Sequence, residues 1–348
     1  MDSLTQAAVG AVIGELILGK KIGWRGAAWG AFFGTLPDLD VIALPFLDAA
    51  QGIRWHRGIS HSILVMILAS FVLSKRLATF HKKQSILPRE AGWMIFWAWS
   101  THVLVDCFTT YGTQIFEPFS NYRVAMNTFF IVDPLFTLPL LVGLVKVFRV
   151  DVADFKRRRR IMKWAVGVSC LYFAFGCTMK QWAGKEIQSD LVGEIPYGKL
   201  VAVAPSSFNT ILWRGLIETE AGYFLTYWSP FDRGKATYDY IPKNRKLAND
   251  FEGTDELEAL KWFSRGHWVA RKGDDGTTVI IDMRFTEIRD PENGTLQPIF
   301  QWHLSRDSAG HINAPMLRPK DLNYMAAISV TWQRIWGEKR KWDALKPF

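Results

Sequence analysis

The first half of the chain is a succession of long apolar runs, and the second half is not. Runs fall at about 1–19, 27–47, 61–77, 91–110, 129–148 and 161–179. Most approach the roughly 20 residues that an α-helix needs to cross a bilayer. The first two are Gly-rich, which suits tight packing or partial entry. The first carries Asp2, Gln6 and Glu15 and has no basic leader, so it does not read as a cleavable signal peptide. From about 181 the pattern shifts to short stretches rich in β-branched and aromatic residues, predicting strands over 199–204, 210–217, 223–228, 267–271, 277–285 and 299–304. Asp274-Asp275-Gly276 is a hairpin turn signal between two of them, and 249–263 reads as a helix. The expected architecture is an α-helical multi-pass membrane domain over 1–180, followed by an extracytoplasmic α+β domain over 181–348.

Composition agrees with a divided chain. Of 348 residues 49% are apolar and 14% aromatic, and the mean hydropathy of +0.03 lies between a soluble enzyme and a pure membrane protein. The net charge of +9 is not matched by any nucleic-acid recognition motif. It lies instead in short runs beside the apolar segments: Lys20-Lys21, Lys75-Arg76, Lys82-Lys83, Lys146, Arg149 and 156–160. Placed in cytoplasmic loops by the positive-inside rule, these runs orient the segments. The 51–60 connection then faces outward, and the segment at 161–179 delivers the polar half to the outer side of a bacterial inner membrane. Cys107, Cys170 and Cys177 all lie in apolar context, so no disulfide framework is implied.

Ionisable side chains inside such segments are expensive and are retained for function. Asp38 with Asp40, His56 with His61, and His102 with Asp106 all fall toward the outer face on this topology. Imidazoles and carboxylates are the ligand set of hydrolytic zinc and manganese centres. His102 and Asp106, four apart, share one helix face. Asp38 and Asp40 would diverge on a helix, but Pro37 suggests an irregular backbone from which both enter one cavity. Gly58 loosens the chain between His56 and His61, and Ser60 is a natural N-cap for a helix starting at His61, or a group holding a ligand from behind. The six residues are therefore candidate ligands for a divalent metal, Zn2+ first and Mn2+ second. Bland readings stand beside each pair: a His–Asp hydrogen bond in helix packing, interfacial histidines, and Asp38 as a helix cap. Asp133, Arg57 and Ser60 are the candidate catalytic groups. Asp133 would accept a proton and Arg57 would pair with a phosphate, as Arg54 and Arg123 are also placed to do. Glu117 is a weaker candidate ligand or base.

The stretches Met1-Asp2-Ser3-Leu4-Thr5-Gln6-Ala7, Gly34-Thr35-Leu36-Pro37-Asp38-Leu39-Asp40, His56-Arg57-Gly58-Ile59-Ser60-His61-Ser62 and 102–112 closely resemble the YdjM-like family. Those proteins are described as predicted inner-membrane, metal-dependent hydrolases. The family is distantly similar to zinc-dependent phospholipase C and the single-strand-specific zinc nucleases. The resemblance covers about 1–145 and extends loosely to 205–214. It implies the same six metal ligands, with one departure: Gln6 stands where many relatives have His.

The expected function is a membrane-bound metal-dependent hydrolase acting on a phosphoester or ester of a lipid-linked or envelope substrate at the outer face. Its partners would be membrane lipids and a phosphorylated or lipid-linked small substrate, with no nucleic acid. A bound dication lowers the pKa of water and polarises a phosphoryl or carbonyl oxygen. Two alternatives stand beside it: a metal-ion or solute transporter using the same residues, and a non-catalytic envelope scaffold. The clustering at one face and the lack of a repeat argue against transport.

Overall fold

A computed structural model describes residues 1–289, 295–317 and 324–338. The Asn293-Gly294-Thr295 stretch, a chance match to a glycosylation sequon, begins outside the described residues. The chain forms two compact units, Met1–Pro45 with Trp55–Phe175, and Phe46–Arg54 with Gly176–Phe348.

The first unit is helical: α1 (Ser3–Ile22), α2 (Trp24–Thr35), α3 (Ala49–Trp55, whose last residue alone belongs here), α4 (Ile63–Phe80), α5 (Pro88–Cys107), α6 (Pro134–Phe148) and α7 (Phe155–Leu191, which belongs here as far as Phe175). Among the described residues, three helices are long and apolar enough to cross a membrane: Trp24–Phe46, which is α2 with its continuation, α4 and α7. Helix α6 is a shorter apolar one. Helix α1 is central. Leu18 and Ile22 pack with Phe33, Met66, Met94 and Trp99 on one side, and Val12 packs with Val105, Leu140 and Met162 on the other. Its approach to α2 depends on glycine, because a Cβ on Gly10 would fall on the Gly30 carbonyl oxygen and one on Gly14 on that of Gly26. Such small-residue stripes let helix backbones touch where lipid offers no competing hydrophobic drive.

Several helix limits differ from the sequence expectation, each for a local reason. After Thr35 the chain tightens into a 3-10 helix, Leu36–Phe46, containing Pro37 and Pro45. Helix α4 begins at Ile63, capped by Ser62, whose Oγ accepts from Leu64 N at 3.1 Å. Ser60 is therefore not the cap, since a separate 3-10 turn occupies Ile59–His61. Helix α6 begins only at Pro134, because Asp133 caps it, accepting from Leu135 N and Phe136 N. Helix α7 has 37 residues, a length of about 55 Å. Arg158, one of the basic run used to orient the chain, is buried against Glu15 of α1, with Nε donating to Oε1 at 2.9 Å.

The second unit is sheet-rich. Strands β1 (Lys199–Pro205), β2 (Trp213–Glu218), β3 (Gly222–Trp228) and β4 (Asp239–Pro242) form an antiparallel sheet in that order. A second antiparallel sheet has the order β10 (Ile312–Asn313), β9 (Gln301–Arg306), β6 (Thr278–Asp282), β5 (Trp268–Lys272), and β7 (Ile288–Arg289) pairs with β8 (Leu296–Gln297). Leu216, Tyr223 and Leu225 of one sheet share a core with Val269, Val279 and Ile281 of the other. The β5–β6 hairpin turns where Asp274-Asp275-Gly276 predicts, with Gly276 at φ +79°. The single helix expected over 249–263 is instead two: a 3-10 segment, Arg245–Phe251, and α8 (Asp255–Phe263), separated at Gly253 (φ +79°) and restarted by the Thr254 cap. Helix α9 (Tyr324–Ile335) is not among the expected elements.

Candidate metal centre

Four of the six expected ligands converge. One ligand atom each from Asp38, His61, His102 and Asp106 lies within 4.8 Å of all the others. The His61 and His102 Nε2 atoms are 3.1 Å apart. Asp38 Oδ1 is 3.4 Å from both, and Asp106 Oδ2 is 3.5 and 3.6 Å from them. They come from three local structures: the 3-10 run, the Ile59–His61 turn and, for His102 and Asp106, adjacent turns of α5. Asp38 is 19% exposed, whereas His61, His102 and Asp106 are sealed.

The surroundings fix which ring nitrogen carries a proton. His102 Nδ1 donates to the Gly34 carbonyl at 2.7 Å, which leaves Nε2 as a lone pair. Ser60 Oγ donates its one proton to Asp40 Oδ2 at 3.1 Å, so it accepts from His61 Nδ1 at 2.9 Å. His61 Nε2 is thus also a lone pair. Asp38 Oδ1 and Asp106 Oδ2 are buried without a hydrogen-bond partner, the latter in ion-pair contact with Arg57 Nε at 3.1 Å. Four acceptors face one another with no donor among them, an arrangement that costs free energy unless a cation lies between them. A proton on one imidazole would relieve one edge, whereas a dication relieves all of them. A tetrahedral zinc site with arms of about 2.0–2.1 Å has edges of about 3.3–3.4 Å, close to the separations found. The donor set of two imidazoles and two carboxylates fits zinc or manganese.

Asp40 and His56 stand beside this group rather than in it. On a 3-10 helix, residues two apart point about 120° away from each other, so Asp38 and Asp40 do not enter one cavity together. Asp40 Oδ1 takes His56 Nδ1 at 2.9 Å, and Oδ2 takes Arg57 N at 2.8 Å as well as Ser60. The second carboxylate therefore organises the loop that carries His61. Ser60 belongs to that support, its carbonyl held by Trp99 Nε1 at 3.1 Å.

Arg57 is buried, its Nε 3.1 Å from Asp106 Oδ2 and its NH1 donating to Thr109 Oγ1. It is a counter-ion to a ligand, not a surface group awaiting a phosphate. It has φ +57° and lies over the Tyr111 ring, as does Arg123. Arg123 is buried too and donates to the His56 carbonyl at 2.7 Å. Asp133 caps α6 and accepts from Tyr172 OH at 2.9 Å, and it is not among the converging four. Glu117 likewise lies outside them; its carbonyl accepts from Ser62 Oγ. Gln6 approaches Asp106 from α1, with Nε2 donating to Oδ1 at 2.9 Å; the Met1 nitrogen donates to the same oxygen. Gln6 thus positions a ligand. Trp99, Tyr111 and the Gly34 carbonyl were not singled out from sequence, since none has a side-chain type or spacing that marks it as a support.

Comparison with known proteins gives two matches. The sequence profile of a family described as YdjM inner membrane protein matches residues 1–183. The uncharacterized protein YfhP of Bacillus subtilis (strain 168) is 34% identical over 103 residues, 28% of this chain and 29% of that protein. The chain thus spans under a third of that relative's length. No solved structure matches.

Proposed function

We propose, for a chain that belongs to the YdjM inner membrane protein family, that it is a membrane-bound metal-dependent hydrolase. Its substrate would be a phosphoester or ester of a lipid-linked or envelope compound at the outer face of the inner membrane. The observation that carries this reading is the convergence of four buried acceptor atoms with no donor among them. Asp38, His61, His102 and Asp106 would hold one dication, zinc first. When bound, that ion supplies Lewis-acid polarisation of the phosphoryl or carbonyl oxygen and acidifies water. The chain's own residues do the rest. Gly34 and Ser60 fix the two imidazoles with Nε2 inward, and Arg57 and Gln6 hold the Asp106 carboxylate. Asp38, the one partly exposed member, marks the side on which a substrate enters. Leu39, Val41 and Ile42 beside it are exposed and apolar, which suits an amphiphile whose head group reaches the centre from lipid. Basic loops at 75–89 and 146–163 support the outward placement of the site and of the sheet-rich unit.

A complete set of four protein ligands favours a second reading, a structural metal that ties α5 to the two 3-10 segments, because catalytic zinc sites usually keep one position open. One experiment tests both. Elemental mass spectrometry of the detergent-purified chain should find stoichiometric metal that is lost in His61→Ala/His102→Ala. Wild type alone should cleave bis(4-nitrophenyl) phosphate. Metal without cleavage would favour the structural clamp, and no metal in either protein would sink both readings.

A further inference from the structure

The Asp40–His56 pair is left over when the four ligands are assigned, and it is built like an acid–base dyad. His56 Nδ1 donates to Asp40 Oδ1 at 2.9 Å, which orients the ring and leaves Nε2 for another partner. The His56 side chain is 22% exposed, while Asp40 is 3% exposed. The backbone there is fixed by Arg123, which donates to the His56 carbonyl, and the ring meets Tyr111 edge-on at 5.2 Å. Asp40 is shared: through Ser60 Oγ it also sets the tautomer of the ligand His61. One carboxylate therefore positions a candidate ligand and a second, more accessible imidazole in the same loop.

We infer that His56, oriented by Asp40, is the proton-transfer group that protonates the leaving oxygen of the substrate, and is not a metal ligand. This rests on the hydrolase reading. In phosphodiester cleavage the water oxygen forms its bond to phosphorus as the bond from phosphorus to the leaving oxygen breaks. The protonated His56 gives its Nε2 proton to that oxygen, which departs as an alcohol. The proton released by the water restores the imidazolium, so the products are a phosphomonoester and an alcohol. Such assistance matters for an alkoxide, a poor leaving group, and little for 4-nitrophenolate, a good one.

The test compares full-length wild type with His56→Gln in detergent, using metal content, bis(4-nitrophenyl) phosphate and phosphatidylglycerol in mixed micelles. The inference expects the variant to keep its metal and its cleavage of the aryl ester within about threefold. It should lose lipid cleavage by at least about 100-fold. Loss of metal would make His56 a ligand and overturn the assignment. Equal loss on both substrates, no loss on either, or a wild type that cleaves only the aryl ester would also overturn it, while leaving the hydrolase reading intact. A metal-loaded wild type that cleaves neither substrate would remove the hydrolase reading and this inference together.

Discussion

Asp40 shows how a residue can matter to a metal centre without touching the ion. Its two oxygens serve His56, the Arg57 amide and Ser60, and only through Ser60 does it reach His61. Groups placed in this way hold a ligand's tautomer and angle, and removing one typically costs 10- to 100-fold in metal affinity. Ser60→Ala should therefore weaken zinc by about 10- to 100-fold in chelator competition, without abolishing stoichiometric loading at saturating metal. Unchanged affinity would show that the His61 ring is held by its packing alone. The six ligand types were legible in the sequence, because aspartate and histidine inside apolar segments are conspicuous. Their division into four that converge and two that support was not, since it turns on whether the backbone at 36–46 is α-helical, 3-10 or extended. Asp133 illustrates the same limit: the Val132-Asp133-Pro134 stretch suits a base and a helix cap equally, and the structure uses it as a cap.

At the scale of elements, the centre depends on how α1, α2 and α5 lie together. The close α1–α2 contact lets the chain leaving α2 deliver the Gly34 carbonyl to His102 and Asp38 to the cluster. A Cβ at Gly30 would fall on the Gly10 carbonyl oxygen, which is backbone and cannot swing aside. Gly30→Ala is expected to destabilise the helical unit by about 1–3 kcal/mol, seen as a lower melting temperature in detergent, and to weaken metal binding in parallel. Metal affinity unchanged in the face of a lowered melting temperature would show the cluster to be independent of this contact. Helix existence followed from hydropathy, whereas the helix limits shifted wherever a side chain captured backbone amides, as Ser62, Asp133 and Thr254 do.

For the whole molecule, the proposed outward placement of the sheet-rich unit rests on the distribution of Lys and Arg alone, and Arg158 shows that one of those charges is internal. Protease added to intact spheroplasts should digest the sheet-rich unit and spare the helical one; digestion only after lysis would reverse the topology. The sequence by itself determined that the chain is half apolar helix and half β-rich, where the apolar runs fall, and which side chains have the chemistry to bind a metal. These are local properties, set by composition and by periodicities of a few residues. Tertiary structure alone decided which atoms meet. Asp38, His61 and His102 are brought within 3.1–3.6 Å of each other or of Asp106 from parts of the chain up to 64 residues apart, as for Asp38 and His102. That convergence is fixed by a glycine-lined helix contact, whose four-residue spacing is visible at Gly10 and Gly14 and at Gly26, Gly30 and Gly34, and by a 3-10 turn and hydrogen bonds to ring nitrogens, which leave no periodic trace in the sequence.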